Sequence, residues 1–401
     1  MSWIAKNIRW LYFYIFTNGL YFDRALWVLY LGERGMNMAQ VGVLESLLHL
    51  VIVFMEVPTG LVADLYGRKR SLLIGSCISV LYAVFMMIGG HFFVFSLAFG
   101  LMGLGITFKS GAEQALLYDT LKAGRQEARY TRILGNQNAL ILISLSLANW
   151  VGGMLSEISW NLVYTSTLIC VGLGLIPVLF LKEPARGDLQ EAPASDEPKR
   201  RMRDQFRDSW AVWKEKRDIR MPILLVMMVS TMIVVVSFYS QEYFELQGFT
   251  HTQIGLIFMA EYLLGAGAVK FAYLLERRYS FPTIFFASYY SFLLMLVIYA
   301  VIQGWVSVAL LFLLSTVSVL LEPIFSNFIQ QKLTSDIRAT FFSMISLGDS
   351  VGIMVVFPLF GSVVDRIGFT RSFLLLVVLL LLVGLYATLS HLKARTRGKT
   401  A

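Results

Sequence analysis

The chain has 401 residues, of which 57% are hydrophobic and only 15% are charged, and its mean hydropathy is +0.67. Ordinary soluble domains carry about 25% charged residues, so this composition excludes a typical cytosolic enzyme, a disordered chain and a secreted disulfide scaffold. A helix needs about 20 apolar residues to cross a bilayer, and the hydrophobic residues suffice for roughly a dozen such helices. The composition therefore predicts a membrane protein.

Long apolar segments follow one another along the chain. They lie at about 9–31, 38–63, 71–90, 92–119, 132–155, 160–181, 221–246, 252–276, 281–302, 305–331, 339–363 and 372–392. Most are too long for strands and lack the alternating pattern of a closed barrel. Each is predicted to be a helix, which gives an all-α membrane protein with twelve transmembrane helices.

The two cysteines, Cys77 and Cys170, lie in separate apolar segments. Their number and spacing indicate neither a disulfide framework nor a metal site. The sequence contains no phosphate-binding loop of the type G-x4-G-K-[S/T], which argues against a nucleotide-driven activity. We therefore expect no metal ion and no cofactor.

The basic residues are distributed unevenly between the loops. With the N-terminus inside, 28 of the 34 lysines and arginines fall on the inner side, and the outer loops keep only Arg34, Arg366 and Arg371. Cytoplasmic loops are enriched in Lys and Arg, so both termini are predicted to be cytoplasmic. The net charge of +8 follows from this topology. We expect the lipid bilayer as a partner, and no nucleic acid.

The longest polar stretch divides the chain into halves. We predict an N-terminal six-helix bundle at 1–181, a cytoplasmic linker at 182–219, and a C-terminal six-helix bundle with a cytoplasmic tail at 220–401.

An internal repeat supports two pseudo-symmetric halves. Gly35-x4-Gln40-Val-Gly42 recurs 213 residues later as Gly248-x4-Gln253-Ile-Gly255. Three further residues recur after 209 positions, namely Glu113 as Glu322, Arg129 as Arg338 and Gly152 as Gly361. Matches at corresponding helix ends favour a parallel duplication.

The loop between the second and third segments contains a distinctive turn. It reads Gly60-Leu-Val-Ala-Asp64-Leu-Tyr-Gly67-Arg68-Lys69-Arg70. This closely resembles the G-x-x-x-D-x-x-G-R-K/R signature of the major facilitator superfamily, and the resemblance covers essentially the whole chain. It implies the major facilitator fold and a gating role for Gly60, Asp64, Gly67, Arg68 and Lys69 as a cytoplasmic latch. The alternative is a plain turn in a basic inner loop.

A weaker resemblance points to bacterial drug-efflux-like members of this superfamily, through Glu56–Gly60 and Ser110–Asp119. Two features depart from the proton-coupled exporters. Lys109 is the only cation in the fourth segment, where those exporters commonly carry arginine, and only Gly152-Gly153 remains of their proline-containing fifth-helix motif.

Ionisable side chains within membrane spans are costly, so they are candidates for function. The candidates for proton coupling are the carboxylates of Glu261, Glu322, Asp349, Asp23, Glu45 and Glu113. We favour the first three because they lie nearest the middle of their segments. The alternative is structural pairing between neighbouring helices. Lys109 and Glu113, four residues apart, are close enough to pair on a helix.

A second set of residues is predicted to line a substrate cavity. Its members are Asn18, His49, Lys109, Phe16, Phe238 and Tyr239. Lys109 and His49 could contact a charged substrate, while the aromatic residues lie on the first and seventh segments, which line the cavity in the resembled family. The alternatives are a helix–helix hydrogen bond for His49 and packing or lipid contact for any single aromatic side chain.

The resemblance implies a secondary active transporter that works by alternating access, and not an enzyme. The main hypothesis is a monomeric antiporter in a bacterial inner membrane, which uses protons for multidrug efflux of small amphipathic compounds. One alternative is proton-coupled uptake of an organic anion or nutrient, with Lys109 as the anion partner. A remote alternative is a membrane receptor without transport.

Overall fold

The structure is a computed structural model that describes residues 3–184, 207, 210, 211, 213, 214, 217–334 and 337–397. The described part of the chain is all-helical, with about 89% of its residues in helices. Most of the predicted linker at 182–219 lies outside the described residues. The predicted domain bounds at 1–181 and 220–401 stay predictions.

In the first half of the chain the described residues form nine α-helices where the sequence predicts six segments. They are Trp3–Asn18, Trp27–Glu33, Met38–Tyr66, Arg68–Ile88, Phe92–Lys109, Ala112–Ala123, Tyr130–Ile158, Trp160–Leu173 and Leu175–Phe180. The second half contains the helices Arg217–Glu245, His251–Ala268, Ala272–Arg278, Phe281–Val301, Trp305–Lys332 and Arg338–Arg397. Among the described residues, ten helical stretches are long and apolar enough to cross a membrane.

The first predicted span, at 9–31, is wrong as a single helix. Helix Trp3–Asn18 ends at a non-helical stretch, residues 19–26, and helix Trp27–Glu33 follows it. Here the backbone turns tightly, with Leu20 N donating to Thr17 O and Leu26 N donating to Asp23 O. We call residues 19–26 the break, and it contains the only charges of this segment's interior, Asp23 and Arg24.

Glycines with positive φ interrupt two further helical stretches. The fourth segment stops at Lys109 and restarts at Ala112, with Gly111 between them at φ +71°, which departs from the single helix predicted there. Arg338–Arg397 consists of two helices that meet at the non-helical Gly368, at φ +78°, in agreement with the two segments predicted there. L-residues with side chains rarely adopt such backbone conformations.

The repeated Gly-x4-Gln motif forms the same local structure twice. Gly35 and Gly248 have φ values of +85° and +88°. After the first glycine, Asn37 and Gln40 exchange backbone-to-side-chain hydrogen bonds of 3.1 and 2.8 Å. After the second, Thr250 and Gln253 do the same at 2.9 and 3.3 Å. Each pair is a capping box that satisfies free N–H groups at a helix start, so these two parts of the repeat are structurally equivalent.

Residue contacts group the chain into two compact units. The first comprises Met1–Pro198 with Gly248–Leu263, and the second comprises Lys199–Gln247 with Leu264–Ala401. The core of the first unit includes Leu11, Leu72 and Leu116, all fully buried. The second contains a buried aromatic cluster in which the Tyr243 ring lies 5.3 Å from that of Tyr299 and 5.5 Å from that of Phe373.

Candidate functional site

The break in the first helix lies at the centre of a polar cluster inside the first unit. Asp23 is only 2% exposed, and its Oδ2 accepts a 2.6 Å hydrogen bond from the Tyr82 hydroxyl. The Tyr82 ring lies 6.0 Å from the Tyr21 ring. Lys109 approaches the same place, with Nζ 5.8 Å from the centroid of the Tyr21 ring. A chain of contacts through two phenol rings therefore links the Asp23 carboxylate to the Lys109 ammonium group.

Lys109 is held in this cluster by hydroxyl groups. Its Nζ donates to Ser79 Oγ at 2.8 Å and more weakly to the Tyr21 hydroxyl at 3.4 Å. The salt bridge with Glu113 suggested by the sequence spacing is not formed, because the helix is interrupted between the two residues at Gly111. Lys109 still acts on Glu113 electrostatically. No carboxylate that the structure describes lies within salt-bridge distance of the ammonium group.

Neighbouring small residues fix the shape of the break. The Phe22 amide donates to Thr167 Oγ1 at 3.2 Å. The Phe22 carbonyl packs so closely on Gly152 that a side chain there would overlap it. Gly19 meets Ser144 in the same way. The helices Tyr130–Ile158 and Trp160–Leu173 thus hold Asp23 in place.

Arg24 points to a second group of polar side chains. Its guanidinium interacts electrostatically with Glu45, Tyr82 and Tyr262, and it hydrogen-bonds with Tyr262. Glu45 is 2% exposed, and its Oε1 lies 3.6 Å from His49 Nε2. Glu45 Oε2 and His49 Nδ1 are buried without a hydrogen-bond partner in the described part of the chain. The predicted coupling residue Glu45 and cavity residue His49 therefore belong to one charged network with Arg24.

Two of the favoured carboxylates lie near each other in the second unit. Asp349 is half-buried and interacts electrostatically with Glu322, which is exposed. Asp349 Oδ1 is buried and has no hydrogen-bond partner among the described residues. The third favoured carboxylate, Glu261, is half-buried beside Tyr262, and it groups with the first unit.

The remaining cavity candidates differ in their surroundings. Asn18 ends the first helix, where its Oδ1 is buried and unpaired within the described structure. Phe16 packs against a small core cluster, and Phe238 is half-buried 6.0 Å from Phe357 between ring centroids. Tyr239 is fully buried, and its hydroxyl donates to Phe357 O at 3.0 Å. This position makes Tyr239 part of the core rather than a cavity wall.

The signature turn, residues 60–70, is built on Gly67. This glycine has φ +106°, and it separates helices Met38–Tyr66 and Arg68–Ile88. Asp64 and Arg68 form a direct salt bridge across the turn. Lys69 Nζ donates to Leu179 O at 2.7 Å. By contrast, Gly60 lies within a helix, and no atom lies within 4 Å of the point where a Cβ would sit. Close packing therefore does not explain why this position is glycine.

A further carboxylate, which the sequence did not reveal, completes this turn. Glu183 Oε1 accepts a 2.5 Å hydrogen bond from the Arg68 amide at the start of the helix. Its Oε2 lies 2.5 Å from the point where a Gly67 Cβ would sit. Asp119 interacts electrostatically with both Arg68 and Glu183. The turn therefore joins four charged groups from three separate parts of the chain.

Sequence reasoning also missed Tyr21, Tyr82 and Ser79, which complete the polar cluster. No local pattern marks their function, because each becomes significant only through Asp23 or Lys109. The run Tyr21-Phe22-Asp23-Arg24 was the available signal. Two adjacent opposite charges in an apolar segment are costly unless the chain gives them partners.

Comparison with known proteins identifies the protein family to which the chain belongs. The family model of the Major Facilitator Superfamily matches residues 11–355, so the chain belongs to this superfamily of transporters and is a multi-pass membrane protein.

Individual relatives with curated descriptions share only part of the sequence with this chain. The drug efflux pump JefA of Mycobacterium tuberculosis is 29% identical over 150 residues, which cover 37% of this chain and 27% of the pump. The uncharacterized MFS-type transporter YxaM of Bacillus subtilis is 22% identical over 236 residues, covering 58% of this chain and 57% of that protein. The chain thus matches only part of the length of either relative.

Solved structures share the fold over nearly the whole chain. The nucleoside transporter NupG has a TM-score of 0.76 at 17% identity, and the match covers 97% of this chain and 98% of the NupG chain. The D-xylose-proton symporter has a TM-score of 0.69 at 13% identity, with coverage of 96% and 95%. At this level of identity the likeness establishes the fold alone.

Proposed function

We propose that the protein exports small amphipathic compounds in exchange for protons, by alternating access. The observation that supports this most is the cluster at the break, where Asp23, Lys109 and two tyrosine rings come together. Amphipathic compounds offer both charge and apolar surface, and such a site matches both. The partial likeness to the drug efflux pump JefA supports the same direction of transport.

We further propose that Glu322 and Asp349 carry the coupling proton. Two nearby carboxylates repel each other when both are charged, and one shared proton relieves that repulsion. Asp349 Oδ1, buried without a partner in the described structure, is an available place for this proton. Proton binding at this pair would be linked to the conformational cycle, in which the Asp64–Arg68 salt bridge acts as the latch.

The coupling proposal is tested in proteoliposomes with an imposed pH gradient and the amphipathic cation ethidium as the probe. Asp349→Asn and Glu322→Gln should abolish uphill accumulation, because a neutral amide neither binds nor releases the proton. Exchange of ethidium down its own gradient should persist in both variants. Glu276→Gln, a neutralised exposed carboxylate of the same unit, is the matched control and should transport uphill normally.

Separate outcomes identify which part of the proposal fails. Uphill transport in all carboxylate variants, including Glu261→Gln, would make these residues structural and direct attention to Asp23, Glu45 and Glu113. If wild-type vesicles move no ethidium in either mode, amphipathic cations are not substrates. Asp23→Asn should weaken ethidium binding, because it removes the negative charge of the cluster.

Uptake of an organic anion or nutrient is a second candidate, favoured by one observation. The Lys109 ammonium is held by hydroxyls of Ser79 and Tyr21 rather than by any described carboxylate, so its charge is available to an anion. A thermal-shift screen of organic anions against the purified protein tests this, because a bound ligand raises the apparent unfolding midpoint. A hit that is lost in Lys109→Gln would favour uptake over export of cations.

We also propose twelve membrane crossings with both termini in the cytoplasm of a bacterium. In this count the two helices flanking the break form one crossing, and Arg338–Arg397 forms two, separated at Gly368. In a background without Cys77 and Cys170, cysteines at Arg34 and Arg366 should react with an impermeant reagent in intact cells. A cysteine at Arg125 should react only after permeabilisation, and equal labelling at all three would refute this topology.

A further inference from the structure

The start of the first helix borders a cavity that is separate from the polar cluster. Its volume is about 720 Å³. Three cationic side chains line it, Lys6, Arg9 and Lys182. The remaining wall is largely aromatic and is formed by Trp3, Trp10, Phe13 and Phe180. No acidic residue is among the lining residues, so the cavity suits an anion with an apolar part.

Hydrogen bonds of the buried Asn7 side chain hold the cationic part of the cavity in shape. Asn7 is 1% exposed, and its Nδ2 donates to Lys182 O at 2.6 Å while its Oδ1 accepts from Lys182 N at 2.9 Å. The same Nδ2 contacts Thr120 Oγ1 at 3.2 Å. These bonds fix the backbone of Lys182 beside the helix bearing Lys6 and Arg9, so the three charges are brought together by the fold.

Aromatic stacking fixes the other wall. The rings of Trp10 and Phe180 are stacked, with centroids 5.0 Å apart and planes 15° from parallel. Phe13 packs edge-on against Trp10 at 6.4 Å. Within the described residues, Lys6, Arg9 and Lys182 form no side-chain salt bridge, so their charges are not neutralised there.

The cavity lining continues as apolar surface beyond the charges. Phe13 follows Lys6 and Arg9 by one to two turns, a distance of about 6–10 Å at 1.5 Å per residue. Trp3 precedes both cations, and Trp10 lies beside Arg9. A phospholipid at a membrane surface has the same order, with a charged phosphate outside and acyl carbon further in. Tryptophan at this depth is typical of the membrane–water interface.

We propose that this cavity binds the headgroup phosphate and adjoining acyl carbons of an anionic phospholipid. The cations would contact the phosphate, and the stacked rings would pack against the first methylenes. Charge complementarity favours an anionic lipid over a zwitterionic one, since Lys and Arg near the surface each attract anionic headgroups. The inference is independent of the transported substrate and of the coupling residues.

The test uses the full-length protein, purified and delipidated in a neutral detergent, with the apparent unfolding midpoint as the readout. Dioleoylphosphatidylglycerol should raise the midpoint saturably. Dioleoylphosphatidylcholine, inorganic phosphate and glycerol 3-phosphate at equal concentrations should not. Equal shifts with both lipids would overturn the proposal. A shift by inorganic phosphate as large as that by phosphatidylglycerol would reassign the cavity to soluble anions.

Matched triple variants locate the site. Lys6→Gln/Arg9→Gln/Lys182→Gln should weaken phosphatidylglycerol binding by about a hundredfold, at roughly fivefold for each cation removed. Lys122→Gln/Arg125→Gln/Arg132→Gln changes the net charge equally outside the cavity lining and should stay within about twofold of wild type. Equal losses in both triples would overturn the proposal. If the first triple does not fold, the single change Arg9→Gln should weaken binding about fivefold, and an unchanged affinity there would refute the site.

Discussion

Two turns in this protein have the same sequence spacing and different chemistry. Gly60-x3-Asp64-x2-Gly67 lies in the first unit, and Gly361-x3-Asp365-x2-Gly368 lies in the second. Their last glycines have similar backbone angles, φ +106° and ψ 150° at Gly67 and φ +78° and ψ 168° at Gly368. Both values fall in a region that is essentially restricted to glycine, so the backbone turns alike in both places.

The residue after each glycine makes the difference. At the first turn Arg68 pairs with Asp64, and its amide is capped by Glu183. At the second turn the corresponding residue is Phe369, which is buried with its ring 5.7 Å from Tyr243. The spacing therefore specifies the turn, and the residues around it specify whether the turn is charged or part of the core. Only the first turn has the charged pair, Asp64 and Arg68, that the proposed latch requires.

Replacing the two turn glycines should give the largest effects and separate geometry from charge. Gly67→Ala and Gly368→Ala should each cost about 1–3 kcal/mol in the free energy of unfolding, because alanine is strained in this region. Gly67→Ala should also abolish most transport, because the new Cβ overlaps Glu183 and the strained turn can no longer hold Arg68 beside Asp64. Transport rates per folded molecule and unfolding midpoints measure this, and equal transport defects in both variants would contradict the comparison.

Neutralising the aspartates should give an intermediate effect at one turn only. Asp64→Asn removes an exposed salt bridge worth at most about 1 kcal/mol, so folding should be nearly unchanged. If that pair stabilises one state of the cycle, the transport rate should change about fivefold. Asp365→Asn is the control and should transport at the wild-type rate. An unchanged rate in Asp64→Asn would remove the latch role.

Glu183→Gln should have the smallest effect that can be measured. The amide side chain still accepts a hydrogen bond from Arg68, and only the favourable charge at the helix start is lost, at about 0.5 kcal/mol. We expect the transport rate to fall by no more than about twofold, measured beside Glu276→Gln as a neutral control. A loss as large as that of Asp64→Asn would mean that Glu183 takes part in the latch itself.

The sequence predicted most of the helical spans and the signature turn because both are encoded locally. Apolar segments as long as Trp305–Lys332 have no other stable structure in a membrane. Gly67 occupies a position whose backbone angles only glycine adopts readily. The capping boxes at Asn37 and Thr250 follow equally from short-range pattern.

The candidate site was less predictable because it depends on contacts between distant residues. Asp23 lies toward the end of its segment, where the sequence gives it little weight, yet the break lets its carboxylate accept a hydrogen bond from Tyr82, 59 residues away in sequence. Helical spacing predicts a Lys109–Glu113 pair, which fails because Gly111 interrupts the helix. The sequence pattern predicts a cavity position for Tyr239, but its aromatic neighbours Phe357 and Phe360 place it in the core.

The contact between Gly152 and Phe22 has a consequence for how this protein can vary in evolution. Gly152 has no reactive group, but it leaves room for the backbone carbonyl that holds the break beside the polar cluster. Gly152 is thus constrained to remain glycine because the break must hold Asp23 in place. Under the proposed function, lineages that change their substrate are expected to alter Tyr21, Tyr82 or Lys109 and to retain Gly152.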